Sequence, residues 1–317
     1  MEDAYPRIRQ VRPPIGQDQL SPLDSRCEVV QFDSPLSEAD FHILSEFLKD
    51  YPRVRLRTYG HYFSDVDDLS FLRHFPFLQK FSVDIWNLKS FCGLEYISRC
   101  AISLSLGPTK KRKSLSSLSD FQSLTELGID GHETGIESIG NISNLEKLTL
   151  RSVSLDNLDF LKSNQKLWWF ALKLGGTRNL TVLKELEGLK YLELWRINGF
   201  SNLDVLEYLT GLQYLFLQAL RQVQVLPSLR KLTSLRRIYL ETMEGLSDLS
   251  SIATAPILEE LFVLDTPQLA AEQFEVLKNC INLKRVLIRL GSQKKNQAVE
   301  EMLSLERAKR DEFKFIP

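Results

Sequence analysis

Long apolar runs are missing from this sequence. Nowhere does it approach the roughly 18 consecutive apolar residues that a membrane helix needs, so no membrane span or membrane partner is expected. The opening stretch, MEDAYPRIRQVRPPIGQDQL, holds no apolar core of the kind a secretory leader carries, which predicts a cytoplasmic, intracellular chain. On that reading the acceptor triplets Asn141-Ile142-Ser143 and Asn179-Leu180-Thr181 stay unused. An excess of one charge is missing too. The formal net charge is -1 over 317 residues, so no global field favours nucleic acid or a membrane surface. Cysteine is scarce. Cys27, Cys92, Cys100 and Cys280 are scattered without a CxxC, which reads as reduced thiols in or near a core rather than a disulfide framework.

The furniture of catalysis is equally thin. The four histidines, His42, His61, His74 and His132, form no HExxH and lie at no metal-ligand spacing. No GxSxG, phosphate loop or GxGxxG occurs, and Gly175-Gly176 reads as a turn. The histidines read as ordinary surface or turn residues. No enzyme, metal or cofactor is expected. The run Lys110-Lys111-Arg112-Lys113 reads as a solvated loop, with a nuclear signal or a contact to an acidic partner as the other readings. Asp65, Asp67 and Asp68 read as a second solvated loop.

What the chain has in abundance is itself. From residue 124 the pattern Leu-x-x-Leu-x-Leu recurs as LTELGI, LEKLTL, LWWFAL, LKYLEL, LQYLFL, LRRIYL, LEELFV and LKRVLI. Its last apolar position falls at 129, 150, 172, 194, 217, 240, 263 and 288, steps of 21 to 25 residues. Run backwards, the ruler lands on Leu106, Val83 and Leu56, for about eleven units. Each unit has two halves. Leu148 and Leu150 alternate with Thr149 and Arg151, the period of a strand with one buried face. Leu180, Leu183, Leu186 and Leu189 then follow at period three, which suits a 3₁₀ turn or extended return. One such coil cannot bury its leucines alone. A series of stacked coils can, which predicts an α/β solenoid.

The LxxLxL strand, the 21 to 23 spacing and the LxxLxxL return resemble the short-repeat leucine-rich proteins, internalins and leucine-rich phosphatase regulatory subunits among them. The resemblance covers roughly residues 50 to 290. It implies a curved solenoid with a parallel concave sheet and short 3₁₀ or extended convex segments. It departs from the family at one slot. Where an asparagine usually satisfies the turn backbone, this chain has His132, Val153, Gly175, Ile197, Leu220, Met243 and Thr266. The turn amides are expected to find other acceptors, or water. The ends read as caps. Ser37-Glu38-Ala39-Asp40 looks like a capping box opening a helix that Pro52 ends. At the other end, 296 to 310 is helical by propensity, and 271 to 280 also reads helical. The expected division is 1–50 arm and capping helix, 51–290 solenoid, 291–317 helical cap, with 1–26 a loosely held arm.

Alternation also sorts the outward residues into ladders. One ladder carries Trp169, Tyr191 and Tyr214, and the next Phe216, Tyr239 and Phe262. Trp195 stands in a third. These seven aromatics fall on the open face of five successive strands, bordered by charge. Lateral stacking is one reading. A partner-binding surface is the other, and the preferred one. Arg53, Arg55 and Arg57 alternate on what reads as the first strand. They are either a cationic row for an acidic partner or an edge guarded against aggregation. With no catalytic motif in the chain, the resemblance implies a non-catalytic scaffold, adaptor or inhibitor that holds another protein on the concave face, and a monomer is expected. Carbohydrate or cell-wall-fragment recognition on the same aromatics is the alternative.

Overall fold

Each of the eleven units places a strand where the alternation of period two falls. The computed structural model describes residues 7–16, 18–60 and 65–317, so His61 lies outside the described residues. The chain forms two compact units. The first, Met1–Lys147, contains parallel strands β1 (Ile8–Gln10), β2 (Val29–Phe32), β3 (Arg55–Gly60), β4 (Lys80–Ile85), β5 (Ser103–Leu106) and β6 (Glu126–Asp130), side by side in chain order. The second, Leu148–Pro317, holds all but the first residue of β7 (Lys147–Arg151). It continues with β8 (Trp169–Lys173), β9 (Tyr191–Trp195), β10 (Tyr214–Gln218), β11 (Arg237–Glu241), β12 (Glu260–Leu264), β13 (Arg285–Arg289) and β14 (Glu306–Arg307).

Parallel pairing in register puts equivalent leucines beside one another. Leu172, Leu194, Leu217, Leu240, Val263 and Ile288 are successive partners, all buried. The period-three leucines are buried as well, and most return segments are 3₁₀ turns, as at Thr181–Glu185 and Asp204–Tyr208. A 3₁₀ turn brings every third side chain to one side, which lets a short return bury three or four leucines. Burying one is worth about 2 kcal/mol. At β3 the register differs from the spacing. Leu56 pairs with Phe81, and Thr58 with Val83. The slip is two residues, so the buried face is unchanged.

Backbone carbonyls take over the work of the missing asparagines. Two residues after the last buried strand position, Ser152, Leu174, Arg196, Ala219, Thr242 and Asp265 all adopt left-handed φ of 51° to 54°. Each turns its N–H onto the carbonyl of the next coil, at 2.7 to 2.9 Å: Ser152 to Lys173, Leu174 to Trp195, Arg196 to Gln218, Ala219 to Glu241, Thr242 to Leu264, Asp265 to Arg289. A left-handed non-glycine residue costs roughly 1–2 kcal/mol, and the inter-coil bond offsets part of that. In the first unit one side chain does the same job. His132, expected as an ordinary surface or turn residue, is buried in its turn. Its Nδ1 accepts from the Lys113 N–H at 3.0 Å, which leaves Nε2 to donate to the Gly107 carbonyl at 3.0 Å.

Both ends depart from expectation. The capping box is present, with Ser37 and Asp40 closing the start of helix α1 (Glu38–Lys49). The preceding arm, however, is held: β1 pairs with β2, Val11 and Ile15 are buried, and the Ile15 N–H donates to Asp40 at 2.7 Å. At the far end the helix α2 spans Gln293–Leu303 and stops at Ser304, whose φ is +50°. Residues beyond it do not extend the helix. They form β14 and then an extended tail, because Asp311, Phe313 and Phe315 repeat at period two and suit one face of an extended chain.

Burial holds the His132 imidazole below its ordinary pKa; Arg112 and Lys113 push the same way, against Asp130 and the Gly107 bond. The unfolded chain therefore binds the proton more readily. The contribution of His132 to stability is full above about pH 6.5 and is lost as pH drops below it. His132→Asn should keep both turn bonds and lose this dependence. Melting temperatures of the two proteins between pH 7.5 and 5 check it: the native chain should lose ground to the variant as pH falls, and parallel curves would contradict the assignment.

Candidate functional site

In the second unit the strand residues between the buried leucines form the outer face of the sheet. Register brings Trp169, Tyr191, Tyr214, Arg237, Glu260 and Arg285 into one row. Glu193, Phe216, Tyr239, Phe262 and Leu287 make the next, and Trp195, Gln218, Glu241, Leu264 and Arg289 the third. The rings stack along the rows. Trp169 lies on Tyr191 at 3.6 Å between centroids, Phe216 on Tyr239 at 4.5 Å, and Tyr239 on Phe262 at 5.1 Å. All seven expected aromatics are thus gathered on one face.

That face is not open. Tyr191, Tyr239 and Phe262 are buried, and Trp169, Trp195, Tyr214 and Phe216 half-buried. Lateral stacking covers part of them, and the C-terminal tail covers more. Phe313 packs against Tyr214 at 5.2 Å. Phe315 packs against Trp168 at 5.2 Å and Trp169 at 6.0 Å. Ala308 closes the cluster of Tyr239, Phe262, Leu264 and Leu287. Expecting a solvent-exposed patch counted the strands but not the chain that returns over them. Trp195 stands at the border, where it lines a groove of about 450 Å³ with Arg196, Phe200 and Arg221.

Charge at the site is paired, and the Arg237–Glu260 pair at its centre is buried. The Arg237 guanidinium bonds Glu260 and reaches Asp311 of the tail at 2.7 Å, with only 5% of its side chain exposed. Burial opposes its charge, but the bonds to Glu260 and Asp311 prevail and hold its pKa above the ordinary value. The same bond to Arg237 holds the Asp311 carboxyl below its usual range. Arg237 also lies over the Phe313 ring at 5.0 Å and the Tyr214 ring at 5.4 Å. Burial, with Glu193 beside it, pushes the Tyr191 phenol well up; its hydroxyl donates to Glu193 at 3.0 Å. Among the described residues no three of His, Cys, Asp and Glu gather as a metal site, and no helix is long and apolar enough to cross a membrane.

The three arginines of the first unit do not form a free cationic row. β3 is the third strand, and Arg53 lies in the turn before it. Arg55 donates to the Phe81 carbonyl and to Ser103, and Arg57 to Asp84 at 2.7 Å and Gln31 at 3.1 Å. The donors of Arg55 and Arg57 are engaged because carbonyl, amide, carboxylate and hydroxyl oxygens 26 to 48 residues away arrive on β2, β4 and β5.

Sequence reasoning missed Lys190, Gln213 and Arg236, which stand one residue before the strands and contact the tail. It also missed the tail. The available signal was the alternation in Asp311-x-Phe313-x-Phe315. Arg237→Ala would strip Glu260 of one partner and leave it buried beside Arg285. Urea unfolding should show a loss of about 3 kcal/mol, the low end for breaking a buried pair. A loss under about 1 kcal/mol would mean that the pair is solvated.

No protein-family model and no curated protein matches the chain. Solved structures do. An internalin, InlF from Listeria monocytogenes, is 17% identical, with 94% of this chain and 90% of that one covered and a TM-score of 0.58. A TLR13 chain, solved as a complex with ssRNA13, is 19% identical, with 82% of this chain and 42% of that one covered and a TM-score of 0.54. At such identities the likeness is one of fold. With a strand, a 3₁₀ return and a buried leucine ladder in unit after unit, the chain is by fold a leucine-rich-repeat protein.

Proposed function

We propose that this protein is a non-catalytic scaffold of the adaptor or inhibitor kind, holding another protein on the outer face of the second unit's sheet. One observation carries this: seven aromatic side chains share that face, and Trp169, Trp195, Tyr214 and Phe216 remain partly accessible there. Large rings at a solvent boundary, rimmed by charge, are the side chains that dominate protein interfaces. The cations around them favour protein over nucleic acid. Lys173 pairs with Glu193 at 2.9 Å and Arg237 with Glu260, so these positive charges are already neutralised.

Affinity capture from native lysate followed by cross-linking tests it. Cross-links from the captured protein should map to the neighbourhood of Trp195 and Phe216. Trp195→Ala with Phe216→Ala should weaken that binding at least thirtyfold, which matches the usual threshold of about 2 kcal/mol for interface hot spots, in a variant shown by circular dichroism to remain folded. Cross-links confined to other surfaces would overturn the reading. Selective binding on a glycan array, lost in the same variant, would favour the carbohydrate alternative.

A further inference from the structure

We propose that the outer face over β8 to β11 is a groove for an extended peptide segment in which an acidic residue is followed two and four positions later by aromatics. The C-terminal tail fills it in this structure as a stand-in. The inference rests on the protein-binding reading above and names the chemistry of the partner.

The tail is held the way peptides are held. Beyond Ala308, whose N–H still bonds the Val286 carbonyl, the hydrogen bonds between tail and sheet come from side chains of the sheet. Gln213 grips both main-chain groups of Ile316: its Nε2 donates to the carbonyl, and its Oε1 accepts from the N–H, each at 2.8 Å. Lys190 donates to the same carbonyl at 3.0 Å, and Arg236 to the Lys314 carbonyl at 3.1 Å. Lys190, Gln213 and Arg236 recur every 23 residues, so coil stacking lines them up along one path. Contacts of this kind read a backbone and accept many sequences. Specificity comes from what flanks them: Arg237 takes the Asp311 carboxylate, and the Trp169, Tyr191 and Tyr214 rings receive Phe313 and Phe315.

The groove is more finished than its occupant. Gln213, Arg237 and Tyr191 are buried, while Asp311, Lys314 and Ile316 are exposed and both tail rings only half-buried. An occupant that leaves so much of itself in water, with no strand ladder after β14, is replaceable by a segment that makes the same contacts and more.

The test uses the full chain and a fluorescent peptide copying residues 308–317, capped at both ends. Phe313→Ala with Phe315→Ala loosens the chain's own tail, and melting confirms that the variant is folded. If it is not, Phe315→Ala alone serves. By fluorescence polarisation the loosened chain should bind the peptide at least tenfold tighter than the native chain. Gln213→Ala on the loosened chain should abolish the gain, as should a peptide with both phenylalanines replaced by alanine. Equal peptide binding by native and loosened chains, or binding indifferent to the phenylalanines, would overturn the proposal. So would a dimer of the native chain that disappears on loosening, since the occupant would then be the tail of a second copy. Such failures leave the protein-binding reading standing, because cross-links to a captured protein decide that separately.

Discussion

Parallel pairing in register is the constraint on which everything else rests. Strands about 4.8 Å apart turn residues 21 to 25 positions apart in sequence into neighbours in space. The leucine core, the inter-coil bonds from left-handed residues, the aromatic rows and the Arg237–Glu260 pair are all consequences of that single periodicity. Slipping one strand by a single residue would exchange its inner and outer faces and break all four at once.

The same geometry explains how the fold does without asparagines. A turn amide buried between coils needs an acceptor. With Val153, Ile197, Leu220 and Met243 in the asparagine slot, that slot packs apolar atoms instead. The turn then bends left-handed one residue earlier and finds a main-chain carbonyl on the neighbouring coil. His132 shows the side-chain solution surviving once, with an imidazole supplying one donor and one acceptor as an amide would.

Much of this was legible in the sequence, and for a physical reason. Strand and return differ in period, and leucine marks both, so β3 to β13 and the inner face of each followed from spacing, with β3 two residues off in register; β1, β2 and β14, which lie outside the repeat, did not. The capping box was legible because Ser37 and Asp40 interact across three residues. What escaped were contacts between segments that share no repeat. Nothing in the repeat says that Phe315 meets Trp169, 146 residues earlier, or that Arg55 and Arg57 spend their donors on other strands. Helical propensity in 296–310 holds only as far as Leu303; Ser304 ends the helix, and the period-two alternation of Asp311, Phe313 and Phe315 lies beyond it.

The outer face of β8 to β11 is covered by the protein's own chain, so the place of the tail is the central matter. Photo-cross-linking addresses it directly, with p-benzoylphenylalanine in place of Phe315 in the full chain and products mapped by mass spectrometry. The expected result is a cross-link within one chain to Trp168, Trp169 or Tyr191. Cross-links confined to residues away from β8 to β10, or none within the chain, would contradict it.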